Sequence, residues 1–137
     1  MKKSVLAILF ICLAGVSVTN ANAAINDIDG DWIITGRTCT DGQPTNDNFE
    51  LGKDTLQIIL KKNTIRTILV AGNQIFMGNG TFTVSKNLIT VTSSEGSVST
   101  VGYAISVAGE LVLVSADFGP GGTCNEKQAL LSVFKIK

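Results

Sequence analysis

From Gly30 onward, apolar and polar residues alternate with a period of two, the repeat of an extended strand that buries one face. Trp32 and Ile34 fall on one side of the first run, Ile33 and Thr35 on the other. Leu56, Ile58 and Leu60 repeat the pattern, followed after Lys62-Asn63 by Ile65, Thr67 and Leu69. Further runs over 74–84, 88–92, 98–107, 111–116 and 128–136 complete the chain. Most are separated by short turn clusters, Ala71-Gly72-Asn73, Ser85-Lys86-Asn87, Ser94-Glu95-Gly96 and Ala108-Gly109-Glu110. No run after the N-terminal leader has helical spacing with a cap. Short strands at this interval predict an all-β fold, and we expect an eight-stranded antiparallel up-and-down barrel. The count turns on Gly78-Asn79-Gly80. A bulge there within one bent strand gives eight strands, whereas a hairpin turn gives nine. A weak echo, Phe82-Thr83-Val84-Ser85 against Tyr103-Ala104-Ile105-Ser106, suggests one hairpin repeated.

Two segments are too long and too polar to be simple turns, Thr40 to Lys53 and Asp117 to Lys127. In an eight-stranded ring both lie at one rim with Ala71 to Asn73 and Ser94 to Gly96, while the tight turns close the other. The same count brings Cys39, at the end of strand one, beside Cys124, just before strand eight.

The N-terminus decides whether those cysteines meet an oxidising compartment. Lys2 and Lys3, an apolar run from Val5 to Val18 and Ala21-Asn22-Ala23 form the pattern of a cleavable secretory signal over 1–23. The run is short for a bilayer crossing, so we expect one domain over 24–137, exported to the periplasm or beyond, with no stable membrane anchor after cleavage. Cleavage leaves Cys39 and Cys124 as the only thiols, which predicts one disulfide.

Charge narrows the function. The chain carries 11 basic and 11 acidic residues, and loss of Lys2 and Lys3 leaves a slightly acidic protein with no basic field for nucleic acid. There is no histidine, which removes the Ser-His and Cys-His nucleophile systems, the usual zinc ligands and the commonest general base. Asp27-x-Asp29-Gly30-Asp31 lacks the glycine and glutamate positions of a calcium loop. The acid pairs Asp41 with Asp47 and Asp117 with Glu126 lie in loops, where carboxylates are ordinary. We expect no catalysis, no metal and no cofactor.

Gly30-Asp31-Trp32 at the start of strand one, the repeated aromatic-x-aliphatic hairpins and a closing Phe134-Lys135-Ile136-Lys137 resemble small bacterial lipocalin-like domains of the calycin type. The resemblance implies that Trp32 plugs the barrel base, with Lys135 or Lys137 as the basic residue over it. It also implies binding of a small apolar molecule, or of another protein, at the open mouth. Arg37, Phe49 and Phe118 are the candidate rim residues. Arg37 either meets an anionic group or pairs with Asp41, and each phenylalanine is either an exposed anchor or a plug over the core. Phe82, Val84, Ile89, Val91, Tyr103, Ile105, Leu111 and Leu113 should face inward and leave a narrow cavity at most. The leading expectation is a small-molecule binding protein, and the alternative is a secreted inhibitor or surface-interaction protein that uses the same loops.

Overall fold

A computed structural model describes residues 28–117 and 122–137. The expected signal segment 1–23, the residues up to Asp27 and Phe118 lie outside the described residues. The strands are β1 (Gly30–Cys39), β2 (Thr55–Lys61), β3 (Thr64–Ala71), β4 (Gln74–Ser85), β5 (Leu88–Ser93), β6 (Val98–Ile105), β7 (Leu111–Asp117) and β8 (Gln128–Ile136). Each pairs antiparallel with its predecessor, and β1 pairs with β8, which closes the sheet into an eight-stranded barrel.

The expected bulge at Gly78-Asn79-Gly80 is absent. Pairing of β3 with β4 runs unbroken from Thr64↔Thr81 to Ala71↔Gln74. Glycine is required there for close approach. A Cβ on Gly80 would sit 2.3 Å from the carbonyl oxygen of Thr92, and one on Gly78 would sit 2.7 Å from Thr67 Oγ1. The register shift occurs in β1 instead, between Ile34 and Gly36.

Alternation puts one apolar set inside. Trp32, Ile34, Ile58, Leu60, Phe82, Ile89, Tyr103, Leu111 and Phe134 are buried together. Of the eight residues expected inside, Phe82, Ile89, Tyr103 and Leu111 are buried; Val84, Val91, Ile105 and Leu113 are half-buried against them. Each fully buried Phe or Leu contributes about 1.5–3 kcal/mol relative to exposure, so the inner face is the main source of stability. The Phe82 and Tyr103 echo has a backbone counterpart. Phe82 N–H donates to the Asn63 carbonyl at 2.9 Å and Tyr103 N–H to the Asn87 carbonyl at 2.8 Å, each reaching back to the turn of the preceding hairpin.

At the base, buried Trp32 donates its indole N–H to the carbonyl of buried Ile28 at 2.9 Å. The basic residue expected over Trp32 is not there. Lys135 pairs with outward-facing Ile33 in the ladder and makes an ion pair with Glu110 at 3.5 Å, and exposed Lys137 follows the end of β8. Alternation forces this result, because Trp32 shares its face with Ile136 and Ile34 with Phe134.

Gly80→Ala tests whether close packing around β4 is required. The added methyl meets backbone rather than a yielding side chain, so urea unfolding should show a loss of about 2–3 kcal/mol, and an unchanged midpoint would contradict this packing.

Candidate functional site

The site is the rim that carries the long loops, and its chemistry begins with the irregularity in β1. A bulge inserts one residue and reverses which later residues point inward. Beyond it, Arg37 pairs with Ser132 and Cys39 with Leu130, so both share the inner face with Phe134. Strict alternation from Trp32 would have sent both outward.

Cys39 and Cys124 are bonded, with Cα atoms 5.8 Å apart, and both are buried. Around them the two long loops are joined directly. Asn46 N–H donates to the Thr123 carbonyl at 2.6 Å, and Asn46 Nδ2 donates to Asn125 Oδ1 at 3.2 Å. Thr40 N–H donates to the Ala129 carbonyl at 2.9 Å, and Ala129 N–H returns a bond to Thr40 Oγ1 at 3.1 Å.

Arg37 pairs with Asp47 rather than Asp41. Asp47 is shaped for this role by its own loop, since Oδ1 accepts the hydroxyl of Thr45 at 3.1 Å and the backbone N–H of Phe49 at 3.2 Å. That second bond is the local turn aspartate favours, and it aims Phe49 back at the barrel. Asp41 forms its own turn with Gln43 N–H at 3.0 Å. The guanidinium carbon of Arg37 then lies 4.9 Å from the centre of the Phe49 ring, and Phe49 packs half-buried against the core. Phe49 is therefore a plug rather than an exposed anchor. Arg37 carries both the ion pair and the cation–π contact, which together hold the loop down.

Sequence reasoning missed Asp54. Its Oδ2 accepts Glu50 N–H at 2.8 Å and its Oδ1 accepts Gly72 N–H at 3.1 Å, fixing the first long loop to the β3–β4 turn. An aspartate placed just before a strand, after Gly52-Lys53, was the available signal. A shallow groove of about 410 Å³ lies here, lined by Asn48, Glu50, Lys53, Asp54, Ala71 and Gly72.

Inside the barrel is a cavity of about 150 Å³ whose lining is wholly aliphatic, including Ile58, Ile65, Ile89, Val91, Val101 and Leu113. Among the described residues no three Cys, Asp or Glu side chains converge to hold a metal ion. The carboxylates of the expected pair Asp41 and Asp47 are each engaged as above. Asp117 of the other pair has its side chain outside the described residues. What the arrangement offers is a dry pocket in the barrel interior, bordered by Leu60, Ile65, Ile89 and Leu111 next to the short turns, and, at the opposite end, a rim pinned by one disulfide, one ion pair and one carboxylate. No known protein family, curated protein or solved structure matches this chain.

Burial pushes the Asp47 carboxyl upward, but the hydrogen bonds from Arg37 and Phe49 N–H, the charge of Arg37 and the bond from Thr45 outweigh it. The group is held below its ordinary value of 3.8. A lowered folded-state value stabilises the fold at pH above 3.8, and that contribution is lost as pH falls through the lowered value. Asp47→Asn should therefore reduce stability at pH 7 by about 0.5–1 kcal/mol. The deficit should vanish in urea titrations at pH well below 3.8, and an equal deficit at both pH values would contradict the assignment.

Proposed function

We propose that this protein is an exported, non-catalytic, lipocalin-like binding protein that takes a small apolar molecule into the barrel interior beneath the loop-rich rim. The observation that carries the reading is the aliphatic cavity of about 150 Å³. Leaving such a volume unfilled costs roughly 3–4 kcal/mol at about 24 cal/mol per Å³, a sizeable fraction of the marginal stability of a small domain. A pocket with no polar lining offers nothing to water, and a hydrocarbon recovers the missing packing.

Size restricts the ligand. Sites for drug-sized molecules run from about 300 to 1,000 Å³, so a pocket of this volume suits a ligand of about six to eight non-hydrogen atoms. A fatty acyl chain or a haem is too large. For benzene, with six such atoms, the ceiling of about 1.5 kcal/mol per atom limits Kd to no tighter than about 0.1–1 µM. Lipocalin-like character is supported by the closed ring of eight neighbouring strands and by buried Trp32 beside Ile28. Export is supported by a disulfide between the only two cysteines beyond the leader.

Methyl-labelled protein titrated with benzene is the direct test. Carbon-13 shifts should move for the methyls of Ile58, Ile65 and Ile89 and stay fixed for exposed Ile136. Val91→Phe, which fills the cavity, should abolish the response while Trp32 fluorescence is unchanged. Methyls unmoved in benzene-saturated buffer would overturn the reading.

A further inference from the structure

The ring closes, yet one of its strands outruns its neighbour. β4 pairs with β3 along its whole upper half, up to Ala71↔Gln74, but its ladder with β5 begins only at Gly80↔Ser93. The last bond on that side is from Ser94 N–H to the Asn79 carbonyl at 2.9 Å. Gly72 and Asn73 form a two-residue hairpin turn, so the flanking pair Ala71 and Gln74 is hydrogen-bonded and the bonding alternates from there. Gln74, Phe76 and Gly78 turn their backbone groups toward β3, while Ile75, Met77 and Asn79 turn theirs away. The bond at Asn79 confirms this phase. Among the described residues, the N–H and C=O groups of Ile75 and Met77 therefore form an open edge.

Side chains on this edge are apolar on both faces. Ile75 is 67% exposed, Phe76 53% and Met77 63%. From Leu69 to Gly80 there is no charged residue and no proline, and the β3–β4 register is unbroken. The usual means of blunting a sheet edge, a lysine, a proline or a bulge, are all missing.

We infer that the open edge of β4 pairs antiparallel with the same edge of a second copy of this chain, about a twofold axis through Phe76. That axis sets Ile75 opposite Met77 of the second copy and Met77 opposite its Ile75. Each such pair exchanges two N–H to C=O bonds, so the four open backbone groups of one copy are satisfied by the four of the other. The match follows from the length of the edge, since two bonding residues flank one non-bonding residue. Phe76 meets its own counterpart at the axis, and Gln74 falls opposite Gly78, which has no side chain to obstruct it. Charge raises no objection. Arg66, whose Nη2 lies 3.5 Å from Met77 Sδ, is one strand back from the edge. The two arginines then stand three strand spacings apart, roughly 14 Å, beyond a screening length of about 8 Å.

The area involved sets the strength. The exposed parts of the three side chains amount to on the order of 350 Å² per copy, against about 800 Å² per partner in a standard stable interface. The dimer is accordingly weak, with Kd on the order of 100 µM.

Sedimentation velocity between about 5 and 500 µM, run beside amide exchange at both ends of that range, tests this pairing. Wild-type protein should pass from monomer to dimer. Exchange at Ile75 and Met77 should slow at least fivefold at high concentration, while Phe76, already bonded to Leu69, should not change. Phe76→Lys and Phe76→Glu should each weaken self-association at least tenfold with Trp32 fluorescence unaltered, and an equimolar mixture of the two should recover a dimer. Protein that stays monomeric at 500 µM, a dimer indifferent to Phe76→Lys, or protection at Ile75 and Met77 that appears only with an unrelated extended peptide would each overturn the inference.

Discussion

The pairing of β1 with β8 is the constraint on which the rest of the structure depends. Seven consecutive hairpin-type neighbours form a sheet with two free edges, and only the seam between Trp32 and Cys39 on one side and Leu130 and Ile136 on the other removes them. Its two strands are the most distant in sequence, so the seam is the contact with the largest chain entropy against it. The Cys39–Cys124 bond spans 85 residues beside the seam's upper end. In the chain-entropy account a crosslink of that span stabilises by roughly 4–5 kcal/mol, comparable to the whole stability of many small domains.

The seam also builds the mouth. The irregularity between Ile34 and Gly36 lies in the β1–β8 ladder, and it turns Arg37 and Cys39 inward. One then anchors the loop over the core through Asp47 and Phe49, while the other anchors the second long loop through Cys124. A regular β1 would set the guanidinium and the sulphur on the outer face, leaving the first loop unanchored. In the interior, toward the short-turn end, the side chains leave a small apolar volume unfilled. One end of the molecule is thus closed by Trp32 and Ile28 and serves stability, whereas the other is held by a few replaceable contacts.

Much of the fold was legible because period two is a strong signal. The alternation of Leu56, Ile58 and Leu60, and of Phe82 and Val84, marked strands and inner faces, and the lengths of the turns set the order of neighbours. The disulfide followed from the two cysteines of a chain expected to be exported, and the even strand count set them at one rim. The irregularities were less visible. Gly78-Asn79-Gly80 reads as a bulge because glycine permits one, yet these glycines serve contact with Thr67 and Thr92. The true irregularity lies beside Gly36, a lone glycine that stands out less in the sequence than the pair in Gly78-Asn79-Gly80. Arg37 was picked out as a rim residue, but its partner depended on the turn that Asp47 forms with Phe49, a three-dimensional detail. Asp54 was passed over because its partners, Glu50 N–H and Gly72 N–H, are backbone groups with no side-chain signature.

Equilibrium urea unfolding of the oxidised protein against a variant carrying both Cys39→Ala and Cys124→Ala probes the seam most directly. The account predicts that the variant keeps its far-ultraviolet β-sheet signal but loses about 4–5 kcal/mol. Equal stability of the two proteins, to within about 1 kcal/mol on the scale of ordinary single substitutions, would show that ring closure does not rest on that bond.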